Sequence, residues 1–180
     1  MPIPSITEVM VKVEPHLDLW DAVVRHGHAV YQSYPPEIAI DFDASTQAHC
    51  TYRHILAEAF RAFEGNTLHF DIRGLKLWLF EQAEVVIRLK KMDADGRSSN
   101  FPTRQALAFD RGAELPGLPS GPTRLTVGYL LDETGSSCLR TQVSLPVGRG
   151  VGWCAAIVPT QDRLEAEPIW VDVTREHRLL

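Results

Sequence analysis

The chain has only three cysteines, Cys50, Cys138 and Cys154, in 180 residues. They are widely spaced, odd in number and form no CxxC pair, which argues against a disulfide framework and against a cysteine zinc site. Reduced thiols in a reducing compartment are the simplest account. No apolar run approaches the roughly 18 residues of a membrane span, and the opening MPIPSITEV lacks the basic and apolar regions of a signal peptide. A cytoplasmic protein with no membrane partner is therefore expected. Strong charge of either sign is missing too: the net charge is −5. That mild acidity argues against broad coating of nucleic acid but leaves room for a local basic patch. No Gly-x-Gly-x-x-Gly, Gly-x-x-x-x-Gly-Lys-Ser/Thr, His-Glu-x-x-His or Gly-x-Ser-x-Gly occurs, so no cofactor is implied. The run Gly148, Arg149, Gly150, Val151, Gly152 precedes no helix and reads as a hairpin turn.

What is present is ordinary for a globular chain: 44% hydrophobic and 23% charged residues. The length suits one domain over 1–180, with 1–36 a candidate helical appendage and 174–180 a frayed tail. Ser5 and Glu8 form a Ser-x-x-Glu capping box ahead of Val9, Met10 and Val13. Pro15 should kink or restart that helix. From Leu17 to about Tyr34, apolar residues including Trp20, Val23, Val24, Gly27 and Tyr31 recur at helical spacing. A second helix, capped by Asp43 or Ser45, should reach about Glu64, with Cys50 and His54 four apart on its other side. Alternation then predicts strands over 67–73, 76–80 and 84–91, a helix over 103–111, and strands over 124–131, 138–145, 153–158 and 169–173. The segment 114–122, rich in Pro and Gly, is the best candidate linker, or else an ordered crossover. The expected fold is α+β, with N-terminal helices packed on a mainly antiparallel, twisted sheet.

The densest polar chemistry lies between Glu84 and Phe109. Val85, Ile87 and Leu89 alternate with Val86, Arg88 and Lys90, so Arg88 and Lys90 share the face opposite the core. A turn at 93–96 leads to Arg97, Ser98, Ser99 and Asn100, and helix entry is expected near 100–103. From Glu84 to Arg111 six basic residues meet four acidic ones, a window of +2 in a chain of −5. This stretch suits an anion, with Arg88, Lys90, Lys91, Arg97, Asn100, Thr103, Arg104 and Gln105 as the contacts and a nucleic acid or nucleotide as the partner. The plainer reading is a solvated strand face beside a capped helix. The face carrying Arg88 and Lys90 is expected to display His69 and Asp71 as well.

The order helix, three strands, helix, strand over about 45–131 resembles the core shared by PD-(D/E)xK nucleases. Asp71 would stand at the family's metal-binding aspartate and Lys90 at its catalytic lysine, with Glu84 among the candidate further carboxylates. Gln105 and Phe109 are similar to the Gln-x-x-x-Tyr pattern of one branch. The resemblance implies a metal-activated water attacking a phosphodiester. Arg88 stands two residues before Lys90, where that family has an acid. A third expectation is a protein-interaction module, such as one member of a bacterial regulatory, toxin-antitoxin or defence pair. It would dock a protein partner or a second copy through Trp20, Tyr31 and Tyr34.

Overall fold

The computed structural model describes residues 3–98, 102–165 and 167–174. The first helix, α1 (Ile6–Gln32), starts in the expected capping box: Ser5 Oγ accepts from the Glu8 amide, and the Glu8 carboxylate accepts from the Ser5 amide, each at 3.2 Å. Contrary to the expected break, Pro15 lies inside one continuous 27-residue helix. Pro15 and Val11 are both exposed, so the carbonyl that loses its partner is on the wetted side, where water can serve it. The opposite stripe of α1 is buried, with Met10, Trp20 and Val24 at 0% exposure. After a single turn, α2 (Pro36–Ala39), comes α3 (Ala44–Ala62), capped by Asp43 Oδ1 accepting from the Thr46 amide at 2.7 Å.

The two long helices pass close together at Gly27. A Cβ there would stand 2.4 Å from the Ile55 backbone Cα, so only glycine permits this crossing. Trp20 fills the space between α1, α3 and the sheet, 4.4 Å from the ring of Phe63 and edge-on to Trp78 at 5.5 Å. The aromatics expected to form a docking surface are thus largely consumed by packing: Trp20 and Tyr31 are buried, and the half-buried Tyr34 bonds through its hydroxyl to His54 Nε2 at 2.7 Å.

Seven strands form one sheet in sequence order: β1 (Leu68–Ile72), β2 (Leu75–Phe80), β3 (Val85–Lys91), β4 (Thr123–Leu131), β5 (Cys138–Val147), β6 (Gly150–Ile157) and β7 (Trp170–Asp172). Every neighbouring pair is antiparallel except β3 and β4. A parallel pair needs a crossover, and residues 92–122 supply it, carrying the short helix α4 (Arg104–Asp110) over the face opposite α1 and α3. The segment 114–122 belongs to that crossover, with Leu115 buried and Leu118 packed beside it. The strand face under α1 and α3 carries Trp78, Phe80, Val85, Ile87, Leu89, Val127 and Val143. The other face carries a smaller apolar cluster of Ile72, Leu75, Leu77, Leu79, Val86, Phe109 and Leu115. The fold is therefore α+β, and no helix among the described residues is long and apolar enough to cross a membrane.

The phase of β1 differs from expectation. His69 pairs with Trp78 and Asp71 with Lys76, which puts both on the α1/α3 side of the sheet; Arg88 and Lys90 occupy the other side. The cause is the second apolar cluster: Phe70 and Ile72 turn toward Leu75 and Leu77, and the polar set of this edge strand is left on the side of the helices.

Candidate anion-binding cavity

Beneath α4 the sheet opens into a cavity of about 500 Å³. Its floor is a row of side chains across three strands, because Arg88 pairs with Thr126 and Thr126 with Ser144 in register. One wall is the side of α4, where Thr103, Ala106, Leu107 and Asp110 recur at three and four residues. The β5–β6 turn, from Pro146 to Val151, forms the facing wall, and Gly96 to Ser98 close a third side. Lys90, two residues along β3 from Arg88, completes the basic lining.

Each wall is held by local chemistry. Thr103 Oγ1 caps α4 by accepting from the Ala106 amide at 3.2 Å. At the other end Gly112, in the left-handed region (φ 68°), allows a Schellman ending: its amide donates to the Phe109 carbonyl and the Ala113 amide to that of Ala108. Arg124 reaches from β4 to donate to the carbonyls of Ala108, Phe109 and Ala113, a cation at the negative end of the helix. The β5–β6 turn is tied to the same end, since the Gly148 amide donates to the Asp110 carbonyl at 2.9 Å. Residues 93–98 are pinned to β5 by three side chains: Arg140 donates to the Ala94 carbonyl, Gln142 to that of Asp93 and Ser144 to that of Gly96.

Arg88 is the centre of the floor and is 3% exposed. Its Nε donates to Thr126 Oγ1 at 2.9 Å, its Nη2 lies 2.5 Å from Asp110 Oδ1, and its guanidinium stacks 4.8 Å from the Phe109 ring centroid. The Asp110 contact is close but poorly aligned, for Oδ1 is buried and accepts no properly angled hydrogen bond among the described residues. Burial pushes the Asp110 carboxyl above the usual carboxylate range, and the charge of Arg88 only partly opposes this. Burial also lowers the affinity of Lys90 for its proton, and the neighbouring Arg88 lowers it further, with Asp110 acting in the opposite sense. Lys90 is half-buried and makes no ion pair or hydrogen bond among the described residues. One carboxylate thus faces two desolvated cations, with Arg97 and the exposed Arg149 adding positive charge at the walls.

Of the residues expected to contact an anion, Arg88, Lys90, Arg97 and Thr103 line this cavity. Arg88 is not part of a solvated strand face, because α4 covers it. Lys91 follows Lys90 onto the other side of β3, Arg104 is exposed and Gln105 half-buried outside the lining, and Asn100 lies outside the described residues. Both the entry of α4, at Pro102 and Thr103, and its side, at Ala106, Leu107 and Asp110, line the cavity. The nuclease-like trio is not assembled. Asp71 is held by Lys76 and accepts from the Gly74 amide on the far side of the sheet, while Glu84 is exposed and paired with Lys12 at 3.2 Å. No group of three His, Cys, Asp or Glu side chains among the described residues is arranged to hold a metal. Sequence reasoning missed Asp110, Thr126 and Ser144. The spacing of Thr103, Leu107 and Asp110 on one helix face could have pointed to the first; nothing local marks the other two. Compared with protein-family models, curated proteins and solved structures, the chain matches none, so the reading of this cavity rests on its own chemistry.

Proposed function

We propose that the chain binds a phosphate-bearing ligand of about nucleotide size, a nucleotide or the end of a nucleic acid, in the cavity beneath α4. The observation that carries this is the charge imbalance at its floor: Arg88 and Lys90 are both withdrawn from water and share one carboxylate, Asp110. A cation withdrawn from water without a partner is costly, and an incoming oxyanion supplies the missing charge and hydrogen-bond acceptors. The volume falls within the usual range for small-molecule sites, roughly 300–1,000 Å³. The hydroxyl of Thr126 accepts from Arg88 and retains its own proton to donate, and Ser144 Oγ donates to Gly96 and can still accept.

The test is calorimetric titration of a mononucleotide at low and high salt, with Lys90→Met alongside. Binding is expected at low salt, weakening as salt screens the charges, and at least ten-fold weaker in the variant. The same variant should be more stable than the parent by about 1 kcal/mol, because it replaces a desolvated charge by an apolar chain of similar length; for this size that is a rise in Tm of about 2–4 °C. No binding at low salt, or binding indifferent to Lys90→Met, overturns the assignment.

A further inference from the structure

The cavity is not uniform along its length, and its gradient describes the ligand. Strand register sets the scale, since two residues along a strand span about 7 Å. Lys90 lies two residues beyond the Arg88–Thr126–Ser144 row in one direction. Pro146, two residues beyond Ser144 on the antiparallel strand β5, lies in the other, and is paired with Val151 on β6. The floor near Lys90 is therefore cationic, whereas toward the β5–β6 turn the half-buried lining is Pro146, Val151 and Leu107, with the exposed Arg149 at the rim. At that second end the turn is fastened to α4 by the bond from the Gly148 amide to the Asp110 carbonyl, so the wall there is continuous.

Resting on the phosphate-binding reading above, we infer that the ligand is a single amphipathic phosphomonoester: its phosphate lies against Lys90 and Arg88, and an uncharged, apolar body lies between Leu107 and the Pro146–Val151 pair. A bare phosphate would leave that apolar wall wet, and a polymer would meet the fastened turn. The apolar contact then adds affinity that phosphate on its own cannot reach.

The experiment compares inorganic phosphate, phenyl phosphate, a nucleoside monophosphate, the uncharged nucleoside and an oligonucleotide without terminal phosphates, by calorimetry on the parent chain, Leu107→Gln and Val151→Thr. Thermal melts of both variants verify folding, and the near-isosteric Val151→Thr keeps the test valid if Leu107→Gln does not fold. Phenyl phosphate and the monophosphate are expected to bind at least ten-fold tighter than inorganic phosphate and than the nucleoside. Either folded variant should cut that advantage several-fold and leave inorganic phosphate unchanged. Equal affinity for inorganic phosphate and the two monoesters overturns the inference but leaves the phosphate reading standing, as does tighter binding of the oligonucleotide. Failure of every anion to bind overturns both.

Discussion

At the scale of the residue, Asp110 has the most varied surroundings in the cavity: its side chain meets Arg88 and its carbonyl receives the β5–β6 turn. Removing one member of a buried ion pair costs about 3–5 kcal/mol, because the other is left charged and unmatched. Arg88→Met is expected to cost in that range, and Arg88→Met with Asp110→Leu to recover much of it; urea denaturation of the two singles and the double would measure the coupling. The pH dependence has a definite sign. Burial raises the Asp110 carboxyl, so the folded chain holds this proton more tightly than the unfolded chain. Its contribution to stability is full below the unfolded value and is lost as pH rises through the folded value. Asp110→Asn should therefore flatten the stability profile just above the ordinary carboxylate range, as read by melts across the acid limb. Asp71, lowered first by its bond to Lys76, has the opposite sign and is exposed, so its effect is small.

At the scale of the element, the crossing of α1 and α3 depends on a residue with no side chain. Alanine is a better helix former than glycine by about 1 kcal/mol, yet Gly27→Ala is expected to destabilise the chain by about 1–3 kcal/mol, since the added methyl would meet the Ile55 backbone and force the helices apart. A Tm for Gly27→Ala at or above the parent's would refute this packing. The amphipathic stripe containing Gly27 was legible from its spacing, as were the Ser5 capping box, the Thr103 entry to α4 and the common face of Arg88 and Lys90. These follow from periods of 3.6 and 2 and from caps, which are local. The continuity of α1 through Pro15 was not legible, because the cost of proline depends on whether the freed carbonyl meets water, and exposure is settled by tertiary packing. The phase of β1 was not legible for the same kind of reason. Both of its faces carried a plausible set, and Leu75 and Leu77 on the next strand made the choice.

At the scale of the whole molecule, the sheet is two antiparallel meanders, β1–β3 and β4–β7, joined at the single parallel seam between β3 and β4. The candidate cavity straddles that seam: Arg88 is contributed from one side, Thr126 and Ser144 from the other, and Asp110 by the crossover between them. Such a site could not be read from one stretch of sequence, since its members meet only through long-range pairing. From β1 to β3 and from β4 to β6, strands adjacent in sequence pair after short turns, and β7 follows a connection over 158–169, whereas the seam closes only after residues 92–122 have been looped back. Closing a long loop is a larger entropic cost than closing a short turn, and pairing that depends on it is slow. The seam is accordingly expected to form last on refolding from urea. Recovery of ligand binding should lag behind recovery of strand signal in stopped-flow circular dichroism, and simultaneous recovery of the two would contradict this order. The hydrogen bond from Arg88 to Thr126 then acts as a clasp between two half-sheets, and a ligand bound in the proposed site would report that a newly made chain has finished folding.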